Sequence, residues 1–533
     1  MTSRPAPHPR RLVGAVLLAW VLVLAACTGD DDADGPDEGE ATTTTSVADP
    51  GAEGTGEGEG GPGRLRVSRE SERPAVVDEQ GREVLLRGAN LNSLGDYFQA
   101  NLLLPPTRPP TDEDWDQMAA AGFSVVRLLV SWSALEPTRG QVDLGYLQRI
   151  QQAVDAAEAR GMHTVIDMHQ DAWGKAIASP PDVRCPAGTE PAIGWDGAPA
   201  WATLTDGADT CRPVGSREGA PAVKAAFAAF YENRDGIRDA FAATWRVLAS
   251  TFAQDPAVAG YDLLNEPNVV ADAPTSTRQY TELVTSVIAQ VRAGEAEAGG
   301  FPHIVFLEPM VLFPLPGTMP ADGAVADDQV VFAPHNYAEV IGPEIPTVEQ
   351  TFDVAAQAAE ERGWPLWIGE HGVFSTDAED LAVLRRFAAA QDDHLAGGAQ
   401  WQWRQWCGDP HSVGTPGATP TAPQVQLNTV LCPDDVDTGP TPEILQVASR
   451  AYPRAAPGRL TELASDPAAR TLTVEGRIVD DLATGGDLVL WVPGEGRPTI
   501  EGDGLGEPTI DQVPGGWDVA VPVTDSPYRV ELR

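Results

Sequence analysis

From residue 84 to residue 450 the chain alternates between short, nearly unbroken apolar stretches and longer amphipathic ones. The apolar stretches are Val84–Asn92, Phe123–Val130, His163–Met168, Val258–Leu264, His303–Glu308, Gln329–Ala333, Leu366–Gly369 and Gly398–Trp403. A strand that reads as apolar at consecutive positions is one buried on both faces, as in a parallel sheet covered by helices. The intervening segments carry apolar residues at helical spacing and predict helices near 111–121, 146–160, 220–251, 277–298, 348–361 and 378–393. Eight such units predict a closed parallel (β/α)₈ barrel, the TIM barrel. The competing architecture is an open doubly wound sheet, but no glycine-rich phosphate loop follows the first strand.

Beyond Tyr452 the period changes to two. RTLTVEGRIV, GDLVLWVP, WDVAVPV and YRVELR alternate apolar and polar residues between Gly, Pro and Asp turns. They predict a small C-terminal all-β sandwich over 453–533, following a catalytic barrel over 66–452. Trp491 and Trp517 lie in these strands and are expected in its core. Two long segments, Ala172–Gly219 and Cys407–Pro440, interrupt the barrel pattern. Each follows the C-terminal end of a predicted strand, where such barrels build their sites.

The N-terminus has a different character. Arg4, Arg10 and Arg11 precede LVGAVLLAWVLVLAA, an apolar run short for a membrane span and laid out like an export signal. It ends at Leu24-Ala25-Ala26-Cys27, which resembles the lipobox of bacterial lipoproteins. That resemblance implies acylation of Cys27 and residence on the outer face of the cell membrane. Residues 28–63 hold eleven acidic residues and no basic one, so a disordered tether is expected up to residue 65.

The net charge of −42, from 78 acidic and 36 basic residues, opposes binding to nucleic acid or to an anionic membrane face. Cysteine usage agrees with export. Cys185, Cys211, Cys407 and Cys432 remain once Cys27 is set aside, enough for two disulfides. Three pairings are possible, and the sequence-local one joins Cys185 to Cys211 and Cys407 to Cys432. Their wide spacing, without a CxxC pair, argues against a zinc site.

The predicted strand ends are polar: Arg127 in VVRLLV, His169 and Asp171 in VIDMHQD, and Asn265 and Glu266 in YDLLNEPN. They continue with His335 and Tyr337 in APHNY, Glu370 in WIGEHG, and Trp401 and Trp403 in AQWQW. A carboxylate at a buried strand end is costly unless it is partnered or used. Glycoside hydrolysis needs a proton for the leaving oxygen and a nucleophile or base opposite, and two carboxylates facing across a barrel supply both. Arg127, Asn265 and Tyr337 are suited to keeping a nucleophile charged, His335 to orienting sugar or acid. Trp403 offers a flat apolar face for a sugar ring. No cofactor or metal is needed.

RGANL, VVRLLVSW, NEPN, APHNY and GEHG, in this order over about residues 75–450, resemble the motif series of glycoside hydrolase family 5. The resemblance implies retention of configuration, with Glu266 as acid/base and Glu370 as nucleophile. It also implies that Arg127, His169, Asn265, His335 and Tyr337 surround the sugar next to the scissile bond. IDMHQDAW, GAPAWAT and SRAYPRAAPG resemble, more narrowly, the endoglycoceramidases, which release a whole glycan from ceramide. On that resemblance Asp171 contacts the glycan. WQWRQWCGDPH departs from the better-known members and leaves the first sugar open between glucose and galactose. Apolar loops at Leu102–Pro106 and Pro309–Gly317 suit a lipid aglycone. The alternatives are a β-glucosidase or β-glucanase acting on soluble substrates, and a surface lipoprotein that binds glycans without cleaving them.

Overall fold

The structure, a computed structural model, describes residues 61–70, 73–341, 346–479 and 486–533. The export signal, Cys27 and nearly all of the acidic tether lie outside the described residues. Among the described residues no helix is long and apolar enough to cross a membrane.

Eight parallel strands form the barrel: β1 (Arg87–Leu91), β2 (Val125–Ser131), β3 (His163–His169), β4 (Val258–Asp262), β5 (Ile304–Leu307), β6 (Val330–Phe332), β7 (Trp367–His371) and β8 (Gly397–Gln400). Their order around the sheet is β6-β5-β4-β3-β2-β1-β8-β7. A parallel bridge between Phe332 and Leu366 joins β6 to β7, so the ring closes. These are the predicted strands with shifted ends: β2, β3 and β7 run on to Ser131, His169 and His371, β8 begins at Gly397 and stops at Gln400, and the others are shorter than predicted.

The helices follow the predicted pattern except at one place. The segment expected as one helix over 220–251 is two, Pro221–Tyr231 and Ile237–Thr251. Between them Asn233, Asp235 and Gly236 take positive φ, a conformation that Asn, Asp and Gly accept at least cost. The Asn233-Arg234-Asp235-Gly236 stretch was a turn signal in the sequence, set between two apolar-periodic runs that a periodicity reading joins into one helix.

The lower barrel interior is apolar, filled by Val125, Val165, Ile304, Phe306, Val331 and Trp367. Two residues further along β2 and β3 the inward positions become Arg127 and Asp167, and β4 contributes Asp262. A packed apolar layer thus supports a polar one at the C-terminal mouth.

The C-terminal strands form two antiparallel sheets. One contains Tyr452–Ala456, Asp487–Pro493, Gly516–Pro522 and Thr509–Val513, and is extended by the N-terminal strands Arg66–Ser68, Ala75–Val77 and Glu83–Val84. The other contains Arg459–Asp466, Thr471–Arg477, Tyr528–Leu532 and Ile500–Asp503. Trp491 and Trp517 are buried in the sandwich core, as the alternation predicts. The sandwich is fastened to the barrel by Asp392, whose Oδ2 accepts from Ser465 N at 3.1 Å and Oγ at 2.5 Å, and which is held 2.8 Å from both Arg87 on β1 and Arg450. Tyr452 adds a hydroxyl bond to the Gly122 carbonyl at 2.9 Å.

Both insertions are stapled as the sequence-local pairing expects, Cys185 to Cys211 and Cys407 to Cys432. Each folds around a small antiparallel sheet of its own, Thr189–Pro191 with Cys211–Pro213 in one and Gln424–Pro440 strands in the other.

Candidate active site

Arg127 is the structural centre of the mouth and is wholly buried. Its Nη1 donates to Glu370 Oε1 at 2.8 Å and to Asn90 Oδ1 at 2.9 Å. Its Nη2 donates to Glu308 Oε1 at 2.7 Å and Asn265 Oδ1 at 3.0 Å, and its Nε to Asp262 Oδ2 at 3.0 Å. Asp167 Oδ1 lies 3.0 Å from Nη2. Four carboxylates therefore share one planar guanidinium, a geometry that an ammonium cannot match. Burial opposes the charge on Arg127, but those carboxylates outweigh it and hold the cation.

Glu370 receives a second hydrogen bond at its other oxygen, from Tyr337 Oη at 2.9 Å. Burial pushes the Glu370 carboxyl up, against the charges of His335 and Arg127. Glu266 stands opposite. One carboxylate oxygen of each glutamate, together with a His335 ring nitrogen, falls within a cluster no more than 4.8 Å across. His335 Nδ1 is 2.9 Å from Glu266 Oε1, and its Nε2 is 3.3 Å from Glu308 Oε1. Burial disfavours the imidazolium, but the charges of Glu308 and Glu370 and the Glu266 contact raise its pKa well above the ordinary histidine value. Burial also pushes Glu266 up, yet His335 and Arg217 prevail and bring it down to about 2.

The Glu266 backbone is strained, with φ at +41° in a residue other than glycine. Its N–H is held by Glu308 Oε2 at 2.8 Å and its carbonyl by Gln170 Nε2 at 3.0 Å. These bonds fix the turn that lifts the carboxylate above the barrel.

His169 donates to Asp167 Oδ2 at 2.7 Å and stacks on Trp401 with ring centroids 5.6 Å apart. Asp171 is buried beside it, its Oδ2 3.7 Å from His169 Nε2. Asn265 lies at the site, but its amide nitrogen already donates to the Gln170 carbonyl at 3.0 Å, so its visible role is to hold Arg127.

Trp403 does not join this group. Its indole N–H donates to Asp114 Oδ1 at 3.0 Å and its ring meets Phe123 edge-on, within the hydrophobic core behind the site. At the mouth it is Trp401 that lies against His169, nearly buried. Trp401 and Trp403 are two residues apart, a spacing that puts both on one face of a regular strand, but β8 ends at Gln400 and the alternation does not carry past it.

Sequence reasoning also missed several partners. Asn90, Asp167, Asp262 and Glu308 are polar residues within apolar strands, and that interruption was a usable signal. Arg217 and His411 come from the insertions, where no periodicity marks them. Among the described residues, three clusters of donor atoms could by proximity hold a cation: His169/Asp171/Asp196, Glu266/His335/Glu370 and Asp167/Asp262/Glu308. The last already surrounds the Arg127 guanidinium.

The family described as cellulase, glycosyl hydrolase family 5, matches residues 77–405. The chain belongs to glycosyl hydrolase family 5. It is similar to a crystal structure described as endogalactoceramidase, with 41% identity over 88% of this chain and 99% of that one and a TM-score of 0.80. Endoglycoceramidase I of Rhodococcus hoagii is 29% identical over 367 residues, 62% of this chain and 66% of its own length. Endoglycoceramidase of Cyanea nozakii is 28% identical over 227 residues, 38% of this chain and 42% of its own. The chain thus spans just under two thirds of the first of these curated relatives and less than half of the second. Endo-glycoceramidase II from Rhodococcus sp. shares the fold at 23% identity, with a TM-score of 0.66 over 86% of this chain and 99% of that one.

Proposed function

We propose that the protein is a retaining endo-β-glycosidase that cleaves the bond between glycan and ceramide in glycosphingolipids. The observation that carries retention is the close approach of Glu266 and Glu370, whose nearest oxygens fall within 4.8 Å. Retaining pairs are held about 5 Å apart, and inverting pairs further, to admit a water.

Glu370 is the nucleophile. Arg127 and Tyr337 bind its two oxygens and favour the anion that attacks the anomeric carbon. Glu266 is the acid/base. It gives a proton to the departing glycosidic oxygen, then takes one from the water that opens the glycosyl-enzyme. His335 orients it through Oε1. Trp401, His169 and Asp171 form the wall for the first sugar.

A lipid aglycone is supported by the rim. Leu102 and Leu103, on the loop after β1, are 84% and 87% exposed, and Leu312 and Leu315, after β5, are each 52% exposed. Apolar residues this exposed around a polar site suit acyl and sphingoid chains. The likeness to an endogalactoceramidase structure supports a galactose-linked ceramide as the preferred substrate. The sequence before residue 28 supports export and a lipid anchor at Cys27.

The test is incubation with glucosyl- and galactosyl-linked sphingolipids, bearing one and several sugars, with mass analysis of both products. Free ceramide with an intact glycan is expected, fastest from galactose-linked substrates. Stepwise sugar loss, or turnover of soluble glucans alone, would overturn the reading.

A further inference from the structure

Arg217 reaches the mouth from the segment that follows the Cys185–Cys211 disulfide. Its Nη1 is 2.7 Å from Asp171 Oδ1 and 3.1 Å from His411 Nε2. Its Nη2 donates to Glu266 Oε2 at 3.0 Å, and its Nε donates to Glu218. The guanidinium lies 5.1 Å over the Trp195 ring. Each glutamate of the site therefore has its own arginine, but the two arginines differ. Arg127 is sealed in the barrel by strand residues, whereas Arg217 sits on a loop with its side chain 23% exposed.

Both oxygens of Glu266 are engaged, Oε1 by His335 and Oε2 by Arg217. A general acid needs one oxygen free to carry a proton toward the leaving group. A general base needs the opposite, a carboxylate that stays ionised until water arrives. One carboxyl must serve both needs within a turnover, so a partner that comes and goes is chemically useful. The other neighbours of Glu266 are fixed in the barrel mouth. His335 holds Oε1 and is itself bound to Glu308, Glu308 binds the Glu266 backbone, Tyr337 is committed to Glu370, and Glu370 and Asp171 carry charge of the same sign.

Resting on Glu266 as acid/base, we infer that Arg217 is a displaceable positioning residue. It withdraws from Glu266 when the glycoside enters and returns when the aglycone leaves. Withdrawal frees Oε2, and Glu266 takes a proton from solvent. That proton goes to the glycosidic oxygen as Glu370 bonds to the anomeric carbon and the C–O bond breaks. With the aglycone gone, Arg217 again holds the carboxylate. Water gives it a proton, bonds to the anomeric carbon and releases Glu370, and Glu266, held again by Arg217, returns that proton to solvent. Asp171 serves as the second anchor between these positions, and Glu218, beside Arg217 in the chain, keeps the charge near the mouth. The low pKa of Glu266 comes first from His335 and then from Arg217, in the form with Arg217 attached.

The experiment compares wild type, Arg217→Gln and Arg217→Lys on a dinitrophenyl β-glycoside, whose departure needs no proton. The burst reports formation of the glycosyl-enzyme and the steady state reports its hydrolysis. Arg217→Gln should change the burst rate little. It should slow hydrolysis of the intermediate at acidic pH about tenfold or more. The acid limb of that step should move up by about one pH unit. Arg217→Lys should recover part of that shift. Equal acid limbs in all three enzymes, or a burst and steady state that fall together, would overturn the inference. Should Arg217→Gln fail to fold, as judged by melting, Arg217→Lys decides. Trapped with a 2-deoxy-2-fluoro glycoside and followed by carboxyl carbon-13 NMR, its Glu266 should titrate above that of trapped wild type, His335 being the same in both. Equal titration in the two would overturn the inference. Absence of any burst or trapped intermediate in wild type would instead sink the retaining reading beneath it.

Discussion

Arg127 Nη1 lies 2.8 Å from Glu370 Oε1, and the same guanidinium binds Asp167, Asp262 and Glu308. The arginine therefore sets both the charge of Glu370 and the integrity of the barrel mouth. Removing it would leave four buried carboxylates without their cation. Arg127→Met should cost about 3–5 kcal/mol in urea unfolding and abolish measurable turnover. Arg127→Lys should recover little of either, because one ammonium cannot bridge the same set. Wild-type stability in Arg127→Met would remove this residue from the centre of the account.

The pH dependence follows from Glu370. Burial raises its pKa, and in the proposed role of nucleophile it must be ionised to attack, so kcat/KM should fall on the acid side at a pH above the ordinary glutamate range. Tyr337→Phe deletes a donor that favours the anion, and should move this limb upward by about half a unit to one unit. A downward shift would contradict the assigned hydrogen bond.

Asp392 couples barrel to sandwich, and its linkage has a definite sign. Burial opposes its charge, but Arg450 and Arg87 outweigh it and lower its pKa from 3.8. A lowered folded-state pKa gives stability that is complete above the unfolded value and is lost as pH falls through the folded one. Asp392→Asn should therefore destabilise the protein at pH 7, by about 3 kcal/mol or more, and the difference from wild type should shrink in strong acid. Urea titrations at both ends measure it. A difference that stays constant with pH would contradict the ionised Asp392.

The fold was legible because its signal is repeated: eight apolar runs with amphipathic segments between them leave few arrangements. The site was legible where a polar residue interrupts an apolar strand end, as at Arg127, Glu266 and Glu370. Trp403 misled because sequence spacing does not say whether a residue just past a strand points to the mouth or the wall. Arg217 and His411 were invisible for another reason. They lie in loops whose paths are set by disulfides and tertiary contacts, not by local periodicity.

The disulfide Cys185–Cys211 closes a separation of 26 residues ahead of Arg217. Its removal in Cys185→Ser/Cys211→Ser should cost on the order of 3 kcal/mol. It should also slow hydrolysis of the glycosyl-enzyme more than its formation, because Arg217 loses its support. Unfolding curves and burst kinetics are the measurements, and equal slowing of both steps would argue that the loop serves the fold alone.

Cys27→Ala should abolish incorporation of labelled palmitate and either release the protein from the membrane fraction or leave an unprocessed precursor. Undiminished labelling would contradict a lipid anchor at Cys27.

The division of labour between Glu266 and Glu370 is tested most directly by rapid-mixing kinetics on a dinitrophenyl β-glycoside. Glu266→Ala should give a fast burst of phenol followed by slow turnover, because the first step needs no proton and the second lacks its base. Azide should restore the second step, and the product should be the β-glycosyl azide. Glu370→Ala should give no burst, since no covalent intermediate can form. A burst from Glu370→Ala, or an α-azide from Glu266→Ala, would show that the roles or the stereochemistry are not those proposed.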